Sequence, residues 1–140
     1  MTEFSNKISF RELINEKGND AAACIAATIG REDWLLLLKD PDYDLRQVGT
    51  NGGLTPAHCA ATNGHEGCLR LLKQAGCDLG KALNDGITPA FLAAQNGHEA
   101  CLRVLKEAGC DLGQALNDGI TPAYVAARNG HEACLRLVKE

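Results

Sequence analysis

The feature that most constrains this chain is that it repeats itself. Gly53-Leu54-Thr55-Pro56-Ala57 returns as Gly86-Ile87-Thr88-Pro89-Ala90 and again as Gly119-Ile120-Thr121-Pro122-Ala123, offset by 33 residues each time. Asn63-Gly64-His65-Glu66 recurs in the same register at Asn96-Gly97-His98-Glu99 and Asn129-Gly130-His131-Glu132, and Ala75-Gly76-Cys77-Asp78-Leu79 recurs at Ala108-Gly109-Cys110-Asp111-Leu112. Three registers in phase exclude chance. They imply stacked supersecondary units, each too small to bury its apolar face without a neighbour. With 140 residues, 45% of them hydrophobic, one domain of this size removes roughly 68–70% of its unfolded surface from water, so neither a disulfide nor a metal is needed to hold it together.

Each unit reads as a pair of short helices. Thr88 suits an N-cap, and Pro89 suits the first helical position, where its missing N–H would be unpaired anyway. That helix lasts about two turns, because Asn96-Gly97 supplies the left-handed residue that closes a helix. A second helix follows from His98, with Leu102 and Leu105 on a buried stripe, Glu99 and Arg103 spaced i,i+4 on the wet side, and Gly109 as its end. Asn117-Asp118-Gly119 is a turn signal, suited to a hairpin-like loop leading into the next Thr-Pro. Ala60-Ala61, Ala93-Ala94 and Ala126-Ala127 keep one helix face small, so neighbouring helices can approach closely.

Taken together, the G-x-T-P-A, A-A-x-x-G-H and A-G-x-D-L elements resemble the ankyrin repeat family over about residues 52 to 140. The resemblance implies an all-α fold: an ankyrin-type solenoid of stacked antiparallel helix pairs with protruding hairpin-like loops, in a curved array. Some positions depart from the family pattern. The usual Leu after Thr-Pro is Ala, the motif's His survives as His58 but becomes Phe91 and Tyr124, and the Asn after the family's Asp-Val is Gly80 or Gly113. The hydroxylation that some members carry at that Asn is therefore not transferred to this chain.

The first fifty residues continue the plan in degenerate form. Ile25-Ala26-Ala27-Thr28-Ile29-Gly30 aligns with Cys59-Ala60-Ala61-Thr62-Asn63-Gly64 at an offset of 34, which predicts a one-residue insertion after Leu38, with Trp34 to Leu38 as the second helix. Ahead of it, Ser9-Phe10-Arg11-Glu12 reads as a capping box, with Ile8 and Leu13 as a hydrophobic staple and Gly18 as the stop. This leading helix is expected to cover one end of the stack. The expected organisation is a leading helix (1–18), a degenerate repeat (19–51), repeats at 52–84 and 85–117, and a last repeat (118–140) without its final loop. That bare last unit is expected to expose apolar surface, to fray and to favour self-association through the C-terminal edge.

Charge and composition remove several function classes. Fourteen Lys+Arg against eighteen Asp+Glu give a net charge of −4 with no basic run, so counterion release offers no general affinity for nucleic acid. Apolar runs such as Trp34 to Leu38 are far short of a membrane span, and the N-terminus lacks a signal-peptide pattern. A cytoplasmic location is expected. Cys68, Cys101 and Cys134 share one repeat phase and Cys77 and Cys110 another; helices about 8–10 Å apart place such ladders poorly for disulfides or tetrahedral zinc. Free thiols are expected, mostly as small core residues, with a redox role at Cys77 or Cys110 as the alternative. His65, His98 and His131 each follow a helix-ending Gly, a register that suits bonding of loop backbone between units. His58-Cys59 imitates a base and nucleophile, but adjacent helical residues point about 100° apart, and no carboxylate or oxyanion signal accompanies them. No catalytic, cofactor or metal residue is expected.

Arg70, Arg103 and Arg136, with Lys73, Lys106 and Lys139, form a basic ladder offset by Glu66, Glu99 and Glu132, read either as a solvated back stitched by ion pairs or as a strip for an acidic partner. Positions that differ between the repeats carry more information about binding. In proteins of the family it resembles, the loop tips and first helices line a concave groove. The expected partner-binding set is therefore Leu54, Ile87 and Ile120; Phe91 and Tyr124; Thr62, Gln95 and Arg128; and Asn84, Asp85, Asn117 and Asp118. The function expected is non-catalytic protein–protein recognition, with a targeting or regulatory fragment of a larger effector or enzyme as the first alternative and cysteine chemistry as the second.

Overall fold

Helix signals repeated every 33 residues become two parallel rows of helices. The computed structural model describes residues 3–38, 45–47 and 53–139, with side chains from residue 10 onward. The described residues form helices α1 (Glu3–Lys17), α2 (Asn19–Ile29), α3 (Glu32–Leu37), α4 (Pro56–Asn63), α5 (Glu66–Gln74), α6 (Pro89–Asn96), α7 (Glu99–Glu107), α8 (Pro122–Arg128) and α9 (Glu132–Lys139), with a 3-10 turn at Leu45–Gln47 and no strand. One row is α2, α4, α6 and α8, each packed on the next; the other is α3, α5, α7 and α9. Each first helix also packs on its own second helix. The fold is thus an all-helical stack of pairs.

The starts and stops have local causes. Thr55, Thr88 and Thr121 cap α4, α6 and α8, their hydroxyls accepting backbone N–H groups of His58, Phe91 and Tyr124 at 3.4, 3.1 and 3.1 Å. Proline follows each cap. Gly64 and Gly97 close α4 and α6 at φ +78° and +79°, a conformation costly for any residue with a Cβ. In the loops, Leu83 N–H donates to Ile87 O and Leu116 N–H to Ile120 O, both at 2.8 Å, so each loop is a tight hairpin-like turn without a strand.

The core runs along the interface of the two rows. Leu69, Leu72, Leu102 and Leu105 are fully buried, each worth roughly 1.5–3 kcal/mol of apolar burial. Ala60, Ala61, Ala93, Ala94 and Ala126 are buried completely between first helices, as their small size allows.

Two expectations for the ends need correction. Helix α1 begins at Glu3, so Ser9 lies inside it and cannot be an N-cap, which requires non-helical backbone. The capping box with its Ile8–Leu13 staple is therefore wrong, whereas Gly18, at φ +90°, does separate α1 from α2. The predicted apolar exposure at the C-terminal edge is reduced to Tyr124; the other three exposed large hydrophobics among the described residues, Ile29, Leu36 and Leu37, lie in α2 and α3. Leu137 is buried against the preceding unit and Leu135 and Val138 pack partly on the core. The insertion expected after Leu38 lies outside the described residues.

Candidate functional site: the first-helix row and loop tips

The expected contact residues divide into three groups by burial. Leu54, Ile87 and Ile120 are half-buried and pack against the core, so each loop tip is anchored by its aliphatic residue. Asn84, Asp85, Asn117 and Asp118 are exposed at the turns. Asp85 and Asp118 accept the N–H of Ile87 and Ile120 at 3.1 Å, which fixes each turn internally. Successive tips are joined as well: Asn117 donates its backbone N–H to Asp85 O at 2.9 Å and its side-chain amide to Asn84 O at 2.7 Å. The last two tips are thereby joined.

The third group is on the helices. Thr62 and Gln95 are half-buried and Arg128 is exposed, one per unit at the same phase. The carbonyls of the first two are already used by the next unit: Asn96 and His98 Nε2 donate to Thr62 O, both at 3.0 Å, and Asn129 donates to Gln95 O at 3.0 Å. His65 Nε2 donates likewise to Thr28 O at 3.0 Å. Two of the three repeated histidines, His65 and His98, therefore staple units together, as their register predicts. All three rings also cover the helix-ending glycines, since a Cβ on Gly30, Gly64 or Gly97 would lie 2.6–2.7 Å from Nδ1 of His65, His98 or His131.

One phase shows how position in the stack decides a side chain's fate. His58 is completely buried, Phe91 is 4% exposed and Tyr124 is 56% exposed. Phe91 is inaccessible as an anchor because it fills space between units. Tyr124 is open, beside a shallow depression of about 400 Å³ that Asp118, Ile120 and Arg128 also line. His58 Nδ1 lies 2.7 Å from the Thr55 hydroxyl, and Nε2 donates to Ile87 O at 3.1 Å, tying α4 to the next loop. Burial lowers its pKa below the usual 6.5, so the neutral ring is the form the fold holds.

The back of the stack differs in kind. Glu66–Arg70, Glu99–Arg103 and Glu132–Arg136 pair along their own helices, and Arg70 reaches Glu107 of the next unit at 3.7 Å. These pairs are exposed and identical from unit to unit, which suits solvation.

All seven cysteines are free. Burial pushes Cys68 up to about 11 and Cys101 to about 12, and raises Cys110 and Cys134 as well, so these thiols stay protonated near neutrality. Cys24 on α2 has its thiol 4.0 Å from Leu54 O, and Cys59 is buried on α4, the helix packed against α2. No group of three or more His, Cys, Asp or Glu side chains among the described residues is arranged to hold a metal. No helix of the described residues is long and apolar enough to cross a membrane.

Helix pairs capped by Thr-Pro, closed by glycine, stapled by histidine and joined at hairpin-like tips define a helical repeat protein. Family models agree: one for three copies of ankyrin repeats matches residues 71–140 and one for a single ankyrin repeat matches 52–84. The chain belongs to the ankyrin repeat family, whose repeats are generally protein–protein interaction modules and typically non-catalytic. No curated protein matches the chain closely enough to count as a relative.

Proposed function

We propose that this array is a non-catalytic module that recognises another protein with the loop tips and first-helix row, the face that is concave in the family. The observation that carries the reading is the contrast between faces. The back repeats the same Glu–Arg pair in each unit, whereas the first-helix row changes from Thr62 to Gln95 to Arg128 and ends in open Tyr124. Uniform charge suits water; variation suits a shaped partner. Tyr124 serves as the aromatic anchor and Asp118 and Arg128 as its polar rim, in keeping with the aromatic and arginine bias of interface anchors. A standard interface of about 800 Å² per partner needs several stacked units. A cytoplasmic place of work suits seven free thiols. Self-association through the edge that carries Tyr124 is the competing use of the same surface.

Affinity capture from the native source, comparing wild type with Tyr124→Ala, identifies the partner, and calorimetry then weighs the residues. Tyr124→Ala is expected to cost on the order of 2 kcal/mol of binding, and Arg103→Ala on the back well under ~1 kcal/mol. A larger loss from Arg103→Ala with both variants folded overturns the assignment of faces. Loss of concentration-dependent dimer in Tyr124→Ala, with no partner captured, favours self-association instead.

A further inference from the structure

We propose that Asn129 is a modification site: of the three Asn-Gly-His-Glu turns the repeats share, it is the one whose asparagine loses ammonia in the folded chain and becomes aspartate and isoaspartate. Asn63, Asn96 and Asn129 are each followed by glycine, and all three are exposed at the end of a first helix. Glycine has no Cβ, so its backbone nitrogen can swing against the side-chain carbon of the asparagine before it. The four residues of the turn are identical in the three repeats, so local chemistry alone gives equal rates. The structure sets them apart.

Gly64 and Gly97 are locked twice. Each donates its N–H into the helix behind it, Gly64 to Ala60 O and Gly97 to Ala93 O. Each also lies half-buried under a ring of the next unit, His98 or His131, so close that an added Cβ would collide. Helix α8 stops one residue short of the corresponding position, at Arg128, and Gly130 N–H donates only three residues back, to Ala127 O at 3.2 Å. Gly130 is exposed, and nothing lies within 4 Å of where its Cβ would be. The reaction needs the glycine N–H released from its acceptor by a small local opening. At Gly130 that opening breaks one long hydrogen bond, whereas at Gly64 or Gly97 it must also displace a packed ring.

In the first step the Gly130 nitrogen attacks Asn129 Cγ. A new C–N bond closes a cyclic imide, the Cγ–Nδ2 bond breaks, and the glycine proton passes through water to the departing amide, which leaves as ammonia. Water then opens the imide at either carbonyl, giving aspartate or isoaspartate. Asn129 Nδ2 donates to Gln95 O at 3.0 Å, so the reaction removes a donor that joins α8 to α6 and sets a carboxylate against that carbonyl. Asn96 makes the same kind of bond to Thr62 O, so this contact does not separate the two sites; the cover over the following glycine does. Isoaspartate also lengthens the backbone by one methylene at the turn between α8 and α9. Modification thus loosens the last unit and leaves the inner joints intact.

The test is to age the reduced full chain in mildly alkaline buffer, with and without denaturant, and to follow the mass gain of exchanging an amide for a carboxyl. A lysine-specific protease places the three asparagines on separate fragments, 40–73, 82–106 and 107–139. Fragment ions must separate Asn63 from the Asn51-Gly52 pair, which lies outside the described residues. In the folded chain Asn129 is expected to react at least about ten times as fast as Asn63 and Asn96. In denaturant the three rates are expected to converge. Isoaspartyl methyltransferase labelling confirms the product, and Asn129→Gln must abolish it on fragment 107–139. His131→Ala uncovers Gly97 and is expected to speed Asn96 while Asn63 keeps its rate; if that variant does not fold, the wild-type comparison decides alone. Equal rates in the folded chain, a faster Asn63 or Asn96, a ratio that persists in denaturant, or an unchanged Asn96 in folded His131→Ala overturns the proposal.

Discussion

The two ends of the stack are built from the same kind of helix pair and finished differently. At the N-terminal end, α1 packs on α2, and Phe10 from α1 stacks on Trp34 of α3 with ring centroids 4.7 Å apart. Arg31 lies over the other part of that cluster, its guanidinium 4.5 Å from the Trp34 ring. At the opposite end, nothing approaches within 4 Å of where a Cβ on Gly130 would lie, whereas Gly30, Gly64 and Gly97 are all covered by a histidine from the next unit. The aromatic at the inter-unit phase stands open there as Tyr124. A repeat therefore does not carry its own burial. The neighbour supplies it, and the same residue phase is core or surface according to whether a neighbour follows.

The largest expected effect is at the covered end. Phe10→Ala removes a completely buried ring and is expected to cost roughly 3–5 kcal/mol in urea denaturation. Tyr124→Ala, at 56% exposure, is expected to cost under ~1 kcal/mol. Equal costs would break the comparison. The same glycine substitution at two places sharpens it. Gly64→Ala puts a Cβ 2.7 Å from His98 Nδ1 and displaces a ring that bonds to Thr62 O, which with the left-handed backbone is expected to cost about 3 kcal/mol. Gly130→Ala, with the same φ of +78° but open space, is expected to show only the backbone part, about 1 kcal/mol.

Acid should narrow the difference between the ends. Burial depresses the pKa of His58 below its ordinary 6.5, so the unfolded chain takes up a proton that the folded chain resists. This group's contribution is complete above about 6.5 and is lost as the pH falls below that value toward the depressed one. Native-state hydrogen exchange is expected to show α4 losing protection relative to α9 between neutral and mildly acidic solution. In His58→Phe, the residue used at Phe91, that loss should be absent. The smallest expected effect is on the back. Arg136→Ala breaks an exposed i,i+4 pair and is expected to change stability by less than ~0.5 kcal/mol. Arg70→Ala, which also loses the contact with Glu107, is expected to cost slightly more in the same titration.

Much of the architecture is legible along the chain because its causes are local. Thr-Pro starts a helix through one hydroxyl and one missing N–H, glycine ends it by tolerating a positive φ, and both signals act within four residues. Their recurrence every 33 residues then determines that the units stack. The failure at Ser9 has the same root: Ser-x-x-Glu fits a helix start locally, yet α1 runs on back to Glu3, so no helix begins at Ser9. The binding row was legible as a set of phases and not as a surface. Thr62, Gln95 and Arg128 could be aligned from the sequence, but that Phe91 is enclosed and Tyr124 open depends on what lies one unit further along.

The sequence by itself determined the helix limits within the matched repeats, the period, and the staples made by His65 and His98, since each follows from groups within one repeat or one period of each other. Only the tertiary structure decided which members of a repeated position are buried and that Phe10 stacks on Trp34 at one end. Those outcomes depend on the distances between helices that a linear pattern does not encode: packing is a property of the neighbour as much as of the residue.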